Sequence, residues 1–363
     1  MVSKACVVGV YQKKLEELAQ LPDMKLTVIV PPSWRDERGV LPLERQYTAG
    51  YELVVEPIAL NGHFHLHFYP GLGRQMRRVQ PHVVHMDEEP YNLATAHALW
   101  LTKRVGAKAI FFSWQNILRR YPWPFRLLEQ YVLRHADYGI VGNQESSKVW
   151  REKGYEGELA IIPQFGVDPE VFAPAPGATG SFFVVGYVGR LVEEKGVHLL
   201  LEALAGLEGR WEARISGSGP EKEKLQLQAM QLGLVDRISF VQWMPSAQMP
   251  AFYQELNVLV VPSQTRPNWK EQFGRVLVEA MACGVPVVGS DSGEIPRVIG
   301  DAGLIFTEGE PEALRAHLAR LIREPELCAD LAQRGRQRVL ERYTQAQIAA
   351  ETYQVYQAVL RAQ

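Results

Sequence analysis

Two carboxylates eight residues apart, Glu271 and Glu279, stand where a polar loop gives way to an apolar helix. From Val276 to Cys283 every residue except Glu279 is apolar, and Gly284 closes the pattern ahead of the strand-like run Pro286-Val287-Val288. A carboxylate in such a helix needs a partner, because an unpaired buried charge is costly. One partner is Arg275, a turn earlier, with Glu279 on the single wet side of the helix. The other is a ligand diol, whose two hydroxyls a carboxylate can accept. Upstream, Gly189-Arg190-Leu191-Val192-Glu193-Glu194-Lys195-Gly196 leaves a β-rich run and enters a helical one. Small residues let backbone approach a ligand, a helix N-terminus favours anions, and Arg190 with Lys195 makes a fitting diphosphate site. Glu193 and Glu194 keep the plainer reading open, a solvated charged turn.

These residues need a scaffold, and the chain offers two. At 363 residues, 47% hydrophobic and 22% charged, it has the length of two ordinary globular domains. No apolar run approaches the ~18 residues of a membrane-spanning helix, and the N-terminus lacks the pattern of a signal peptide. Cys6, Cys283 and Cys328 show no metal spacing, which suits a reducing cytoplasm. A net charge of −2 gives no footprint for nucleic acid. Strands are expected near 5–10, 25–30, 52–59, 64–68, 82–86, 108–112, 138–141 and 159–162, with helices near 12–20, 71–79, 91–105, 123–136 and 143–154. The Pro/Gly-rich stretch 173–180 reads as an interdomain linker. A second alternation follows, with strands near 182–188, 211–216, 237–241, 257–261, 286–289 and 303–306, and helices near 196–206, 220–232, 246–253, 273–283 and 311–323. Both halves therefore predict α/β domains with mainly parallel sheets, which bind ligands at the carboxyl ends of their strands.

The string Glu271, Phe273-Gly274, Glu279-Ala280-Met281-Ala282, Gly284, Pro286-Val287-Val288 resembles the Glu-x7-Glu signature of the retaining family-4 glycosyltransferases, which have the GT-B fold. Gly189-Arg190…Lys195-Gly196 resembles that family's diphosphate-holding motif. The resemblance implies two Rossmann-like doubly wound domains facing across a cleft. They would comprise 1–175 plus the C-terminal helix 345–363 on the acceptor side, and 181–344 on the donor side. It implies Glu271, Arg190 and Lys195 as catalytic residues. The backbone at Phe273 and Gly274 would face the sugar, that at Arg275 and Val276 the phosphate, and Glu279 the ribose hydroxyls. Gly189, Gly217 in the turn Ile215-Ser216-Gly217-Ser218-Gly219-Pro220, and Met244 would border the nucleotide. A lone Gly-x-Gly is by itself only a tight turn. No Asp-x-Asp pair occurs, so neither metal nor other cofactor is expected; the nucleotide diphosphate sugar is a substrate.

The first half departs from the family pattern. Relatives carry Gly-Gly after the first strand, where this chain reads Gly9-Val10-Tyr11-Gln12. Relatives also carry His-x-His further on. Here Val84-His85-Met86-Asp87-Glu88-Glu89 puts Asp87 at the second His position and leaves His85 as an internal histidine. Asp87 and Glu88 read either as contacts to acceptor or sugar, or as a solvated acidic loop. Along 116–128, Arg119, Arg120 and Arg126 interleave with Tyr121, Trp123 and Phe125, either as an interfacial segment touching a membrane or as an ordinary helix behind a Pro-broken loop. The function implied is transfer of a hexosyl group from a nucleotide diphosphate sugar to a sugar, lipid or small-molecule hydroxyl, with retention, in glycan, glycolipid or polysaccharide synthesis. A GT-B nucleotide-sugar epimerase and a catalytically silent sugar-nucleotide-binding protein are the rivals, and product analysis on donor alone separates the first of them.

Overall fold

A computed structural model describes residues 1–36, 39–175, 182–242 and 244–362. The chain forms two compact units, Met1–Gly166 with Gln345–Gln363, and Val167–Thr344.

In the second unit the strands are Phe183–Val188, Trp211–Ser216, Ile238–Val241, Val258–Val261, Val287–Ser290 and Leu304–Phe306. They form one parallel sheet in which, counted in chain order, the strands lie 3-2-1-4-5-6. The uninterrupted apolar runs explain this. Val258 to Val261 are buried on both faces, as strands covered by helices on either side must be. The covering helices are Val197–Ala205, Lys222–Gln231, Met249–Gln254, Arg275–Ala282, Ile295–Ile299, Pro311–Arg323 and Pro325–Arg342. Ile295–Ile299 was not legible in the sequence.

The first unit has strands Thr27–Val30, Glu52–Val55, Val83–Met86, Lys108–Ser113, Tyr138–Val141 and Glu158–Ile161, with helices Lys13–Ala19, Leu72–Val79, Leu93–Arg104, Phe125–His135 and Gln144–Glu152. The strand expected over 5–10 is absent. Ala5–Val7 and Gly9–Gln12 are tight helical turns, and the strand is instead the chain's first residues. Val2 bridges Ile29 on one side and Met86 on the other, with Val2 N–H donating to the His85 carbonyl at 2.9 Å and Ser3 N–H to that of Ile29 at 3.0 Å. Residues 1–3 thus join two partial sheets into one. The apolar run Ala5–Val10 misled because Cys6 and Val7 are buried in turns just as they would be in a strand. The run 64–68 is not a strand either; only Phe68 bridges, to Ala59. An antiparallel hairpin, Ser33–Asp36 with Gly39–Pro42, was not foreseen.

The helix Gln345–Arg361 belongs to the first unit. Ile348, Ala349, Val355, Tyr356 and Val359 pack into one core with Leu15, Leu18 and Val28, and the Tyr356 hydroxyl lies 2.8 Å from His85 Nδ1. The division between units falls after Gly166 rather than near 175. Residues 167–174 are fastened to the second unit: Val167 N–H donates to the Tyr343 carbonyl, and Arg336 donates to the carbonyls of Pro169 and Phe172. The linker proposed over 173–180 falls outside the described residues from 176 onward.

Candidate active site

In a 3-2-1-4-5-6 sheet the order reverses between strands 1 and 4, and the loops leaving those strands open a crevice. In the second unit strand 1 is Phe183–Val188 and strand 4 is Val258–Val261. The loop after the first carries Arg190 and Lys195, and the loop after the second carries Ser263 and Glu271. The two loops are stitched together by Gln264 N–H donating to the Glu194 carbonyl at 2.8 Å. Lys195 Nζ then lies 2.6 Å from Glu271 Oε2, and Ser263 Oγ donates to the same oxygen at 3.1 Å. Trp269 places its ring 4.8 Å from Lys195 Nζ, a cation–π contact. Lys195 and Glu271 are 18% and 10% exposed, so the pair is largely withdrawn from water yet open at one side. Arg190 is different. Its side chain is 49% exposed and lies 4.0 Å from Glu194, while its carbonyl is fixed by the Tyr187 hydroxyl at 2.8 Å.

The helix Arg275–Ala282 begins at Gly274, whose φ of +74° is left-handed backbone that favours glycine. The positive end of the helix dipole therefore lies at Gly274, Arg275 and Val276, beside Glu271 in the chain. Phe273 is buried and packs its ring edge-on against Tyr343, which anchors this turn. Glu279 is 6% exposed, so it is not on a wet helix face. Its partners are Arg275 Nε at 2.8 Å, the alternative that the sequence left open, and the buried Tyr253 hydroxyl at 2.7 Å. Burial first, and Glu279 second, push the Tyr253 phenol well above its ordinary range, so it stays a donor to this carboxylate.

Gly189 and Gly217 meet. A Cβ on Gly217 would stand 2.0 Å from the Gly189 carbonyl oxygen, so the first two strand ends pack backbone to backbone. The Gly-x-Gly turn thus has a packing reason at the edge of the crevice. Met244 is half-buried beyond Ile238–Val241, two strands from the switch point, and Trp243 beside it lies outside the described residues.

The first unit has its own switch point, between residues 1–3 and Val83–Met86. Asp87 and Glu88 leave the second of these strands, and both are buried, at 4% and 3% exposure, which overturns the solvated acidic loop. Asp87 accepts from Ser3 Oγ at 2.7 Å, and burial raises its pKa. Glu88 Oε2 lies 2.7 Å from Lys4 Nζ and 2.5 Å from His67 Nε2, and its Oε1 accepts from Tyr69 at 3.2 Å. Burial opposes its charge, but Lys4 and His67 outweigh that and hold it at about 2. Glu89 accepts from Ser113 Oγ and Trp114 N–H, and burial pushes it up to about 7. Gly9 is displaced from this rim. With the strand at 1–3, the loop after it starts at Lys4, and Gly9 N–H is bound by Glu44 at 2.6 Å. His85 is internal, as expected. Sequence reasoning missed Lys4, His67, Ser263, Tyr253 and Trp269. Placing the first strand at 1–3 would have pointed to Lys4.

Tandem Rossmann-like units of this kind are those of the GT-B glycosyltransferases. Anabaena HepE in complex with UDP superposes with a TM-score of 0.73 over 98% of each chain, at 19% identity, and sucrose-phosphate synthase from Thermosynechococcus elongatus with 0.70 over 98% of this chain and 94% of that one. At that identity the likeness is one of fold. The family described as glycosyl transferases group 1 matches residues 172–338. A GDP-mannose-dependent alpha-(1-6)-phosphatidylinositol monomannoside mannosyltransferase of Mycolicibacterium smegmatis is 32% identical over 264 residues, 67% of this chain and 68% of that protein. A D-inositol 3-phosphate glycosyltransferase of Corynebacterium urealyticum is 31% identical over 265 residues, 66% of this chain and 61% of the relative's length. The chain belongs to the glycosyl transferases group 1 family and is a glycosyltransferase.

Proposed function

We propose that this enzyme transfers a hexosyl group from a nucleotide diphosphate sugar to an acceptor hydroxyl with retention of configuration, without a bound metal. The observation that carries this is the convergence of Lys195 and Ser263 on Glu271 at the switch point of the second unit. As the bond from the anomeric carbon to the diphosphate oxygen breaks, negative charge collects on that oxygen. An ammonium has three donors and Lys195 spends one on Glu271, so it can also meet a phosphate oxygen. Arg190 and the positive end of Arg275–Ala282 add to this stabilisation. Glu271 would take sugar hydroxyls at the reaction centre, and Glu279, oriented by Tyr253 and Arg275, the ribose hydroxyls. Asp87 and Glu88 would serve the acceptor or the sugar from the first unit. The acceptor is a sugar, lipid or small molecule. Cys6, Cys283 and Cys328 are free thiols, which supports a reducing, cytoplasmic setting.

The test is a thermal-shift screen of nucleotide diphosphates and their sugars, followed by product analysis with and without EDTA. The name of the Mycolicibacterium relative puts GDP-mannose first in the panel. A ligand at a hundred times its Kd adds about 2.7 kcal/mol, which is readily seen. Turnover lost in EDTA and restored by Mg²⁺ would sink the metal-free reading. An epimerised donor in place of a glycoside would sink the transfer.

A further inference from the structure

The segment 116–128 takes no part in either switch point, yet it concentrates what a protein interior avoids showing. Trp123 is 77% exposed, Leu127 51% and Leu118 39%. Arg126 N–H donates to the Pro122 carbonyl and Leu127 N–H to that of Pro124, so the residues ahead of the helix Phe125–His135 are tied to its first turn. Trp123 stands just ahead of that helix and Leu127 lies in its first turn. Arg119, Arg120 and Arg126 are all exposed beside them. From 116 to 128 there is no acidic residue. The next one, Glu129, is buried and paired with Lys153, so it does not offset the arginines at the surface. The underside is held firmly. Asn116 is buried, and Tyr121 packs on Tyr91 with ring centroids 4.4 Å apart, so the apolar tip stands on a fixed base.

A large aromatic and a leucine flanked by cations match one kind of surface, the headgroup boundary of an anionic bilayer. There tryptophan sits at the interface and arginine meets lipid phosphate. A protein partner would have to supply acidic and apolar groups in register, whereas a bilayer offers both across its whole face. Among the described residues no helix is long and apolar enough to cross a membrane, so the contact would be peripheral.

We infer that the tip built by Leu118, Arg119, Arg120, Trp123, Arg126 and Leu127 docks the first unit onto anionic lipid. The inference is independent of which donor the second unit takes.

The experiment is co-sedimentation of the full chain with vesicles of phosphatidylcholine alone and of phosphatidylcholine mixed with phosphatidylglycerol, at low and high salt. Three arginines near an anionic surface imply roughly a hundredfold preference for the mixed vesicles at low salt, shrinking as salt screens the charges. Trp123→Ser with Leu127→Ser should weaken binding at least about tenfold, and Arg120→Glu with Arg126→Glu should abolish the lipid preference. Each altered group is exposed, so melting temperatures should stay within about 1 °C of the parent, which separates lost docking from lost folding. Failure to bind mixed vesicles at low salt, equal binding to neutral vesicles, or parental binding by both double variants would each overturn the inference.

Discussion

Lys195→Ala and Arg190→Ala remove cations of the same loop, yet the structure predicts different signatures for them. Lys195 is paired at 2.6 Å with a carboxylate that is itself 10% exposed, whereas Arg190 is half in water and 4.0 Å from Glu194. Breaking a fully buried pair costs ~3–5 kcal/mol. The residual exposure of this one reduces the figure to about 1–2 kcal/mol. For a unit of 178 residues, Val167 to Thr344, that corresponds to a fall in Tm of roughly 2–8 °C. Arg190→Ala should cost no more than a few tenths of a kcal/mol, about 1 °C. Catalysis should rank differently. Both cations face charge that grows only as the diphosphate leaves, so each loss should lower kcat about 10²–10³-fold and raise donor KM less in proportion. Arg190→Lys should not restore full rate, because an ammonium cannot reproduce the planar two-pronged donor. The assays are differential scanning calorimetry, and steady-state kinetics with the donor from the thermal screen. Wild-type kcat in both alanine variants, with only donor affinity lost, would refute the electrostatic role. Equal falls in Tm would refute the asymmetry read from burial.

Two further outcomes follow from the buried carboxylates. Glu279→Ala should weaken the bare nucleotide diphosphate by on the order of 1.5–3 kcal/mol, and Tyr253→Phe by less, because Arg275 still orients the carboxylate; calorimetric titration with unchanged affinity in Glu279→Ala would remove the ribose assignment. Glu89 rises from 4.5 to about 7 on folding, so the folded state holds its proton more tightly and the resulting stability fades as pH climbs from 4.5 through 7. Glu89→Gln should therefore gain up to about 3 kcal/mol over the parent at pH 8 and nothing at pH 4; parallel melting curves at the two pH values would contradict this.

The second unit was legible because its apolar strands are continuous and its motif residues lie in loops that the sheet order must bring together. Glu271 and Lys195 could be marked as candidates of one site through their motifs, although their direct pairing at 2.6 Å was not foreseen. Ser263 and Tyr253 could not, since nothing local distinguishes a serine after Val258–Val261 or a tyrosine in Met249–Gln254 from any other. The first unit was harder. Burial of Cys6 and Val7 gives tight turns the composition of a strand, and that one displacement moved Gly9 onto the rim and hid Lys4. The three carboxylates Asp87, Glu88 and Glu89 look solvated in one dimension because their partners Ser3, His67 and Ser113 are far away in the chain.

The helix Gln345–Arg361 closes a unit whose other residues end at Gly166. A ribosome therefore makes all 178 residues of the second unit before the first can be finished. At ~5–20 residues per second that interval is roughly 10–35 s. For that time Leu15, Leu18 and Val28 lack the helix that covers them. The first unit is begun before the second and completed after it, and the nascent chain has to keep that apolar face from other partners until Gln345–Arg361 has been made.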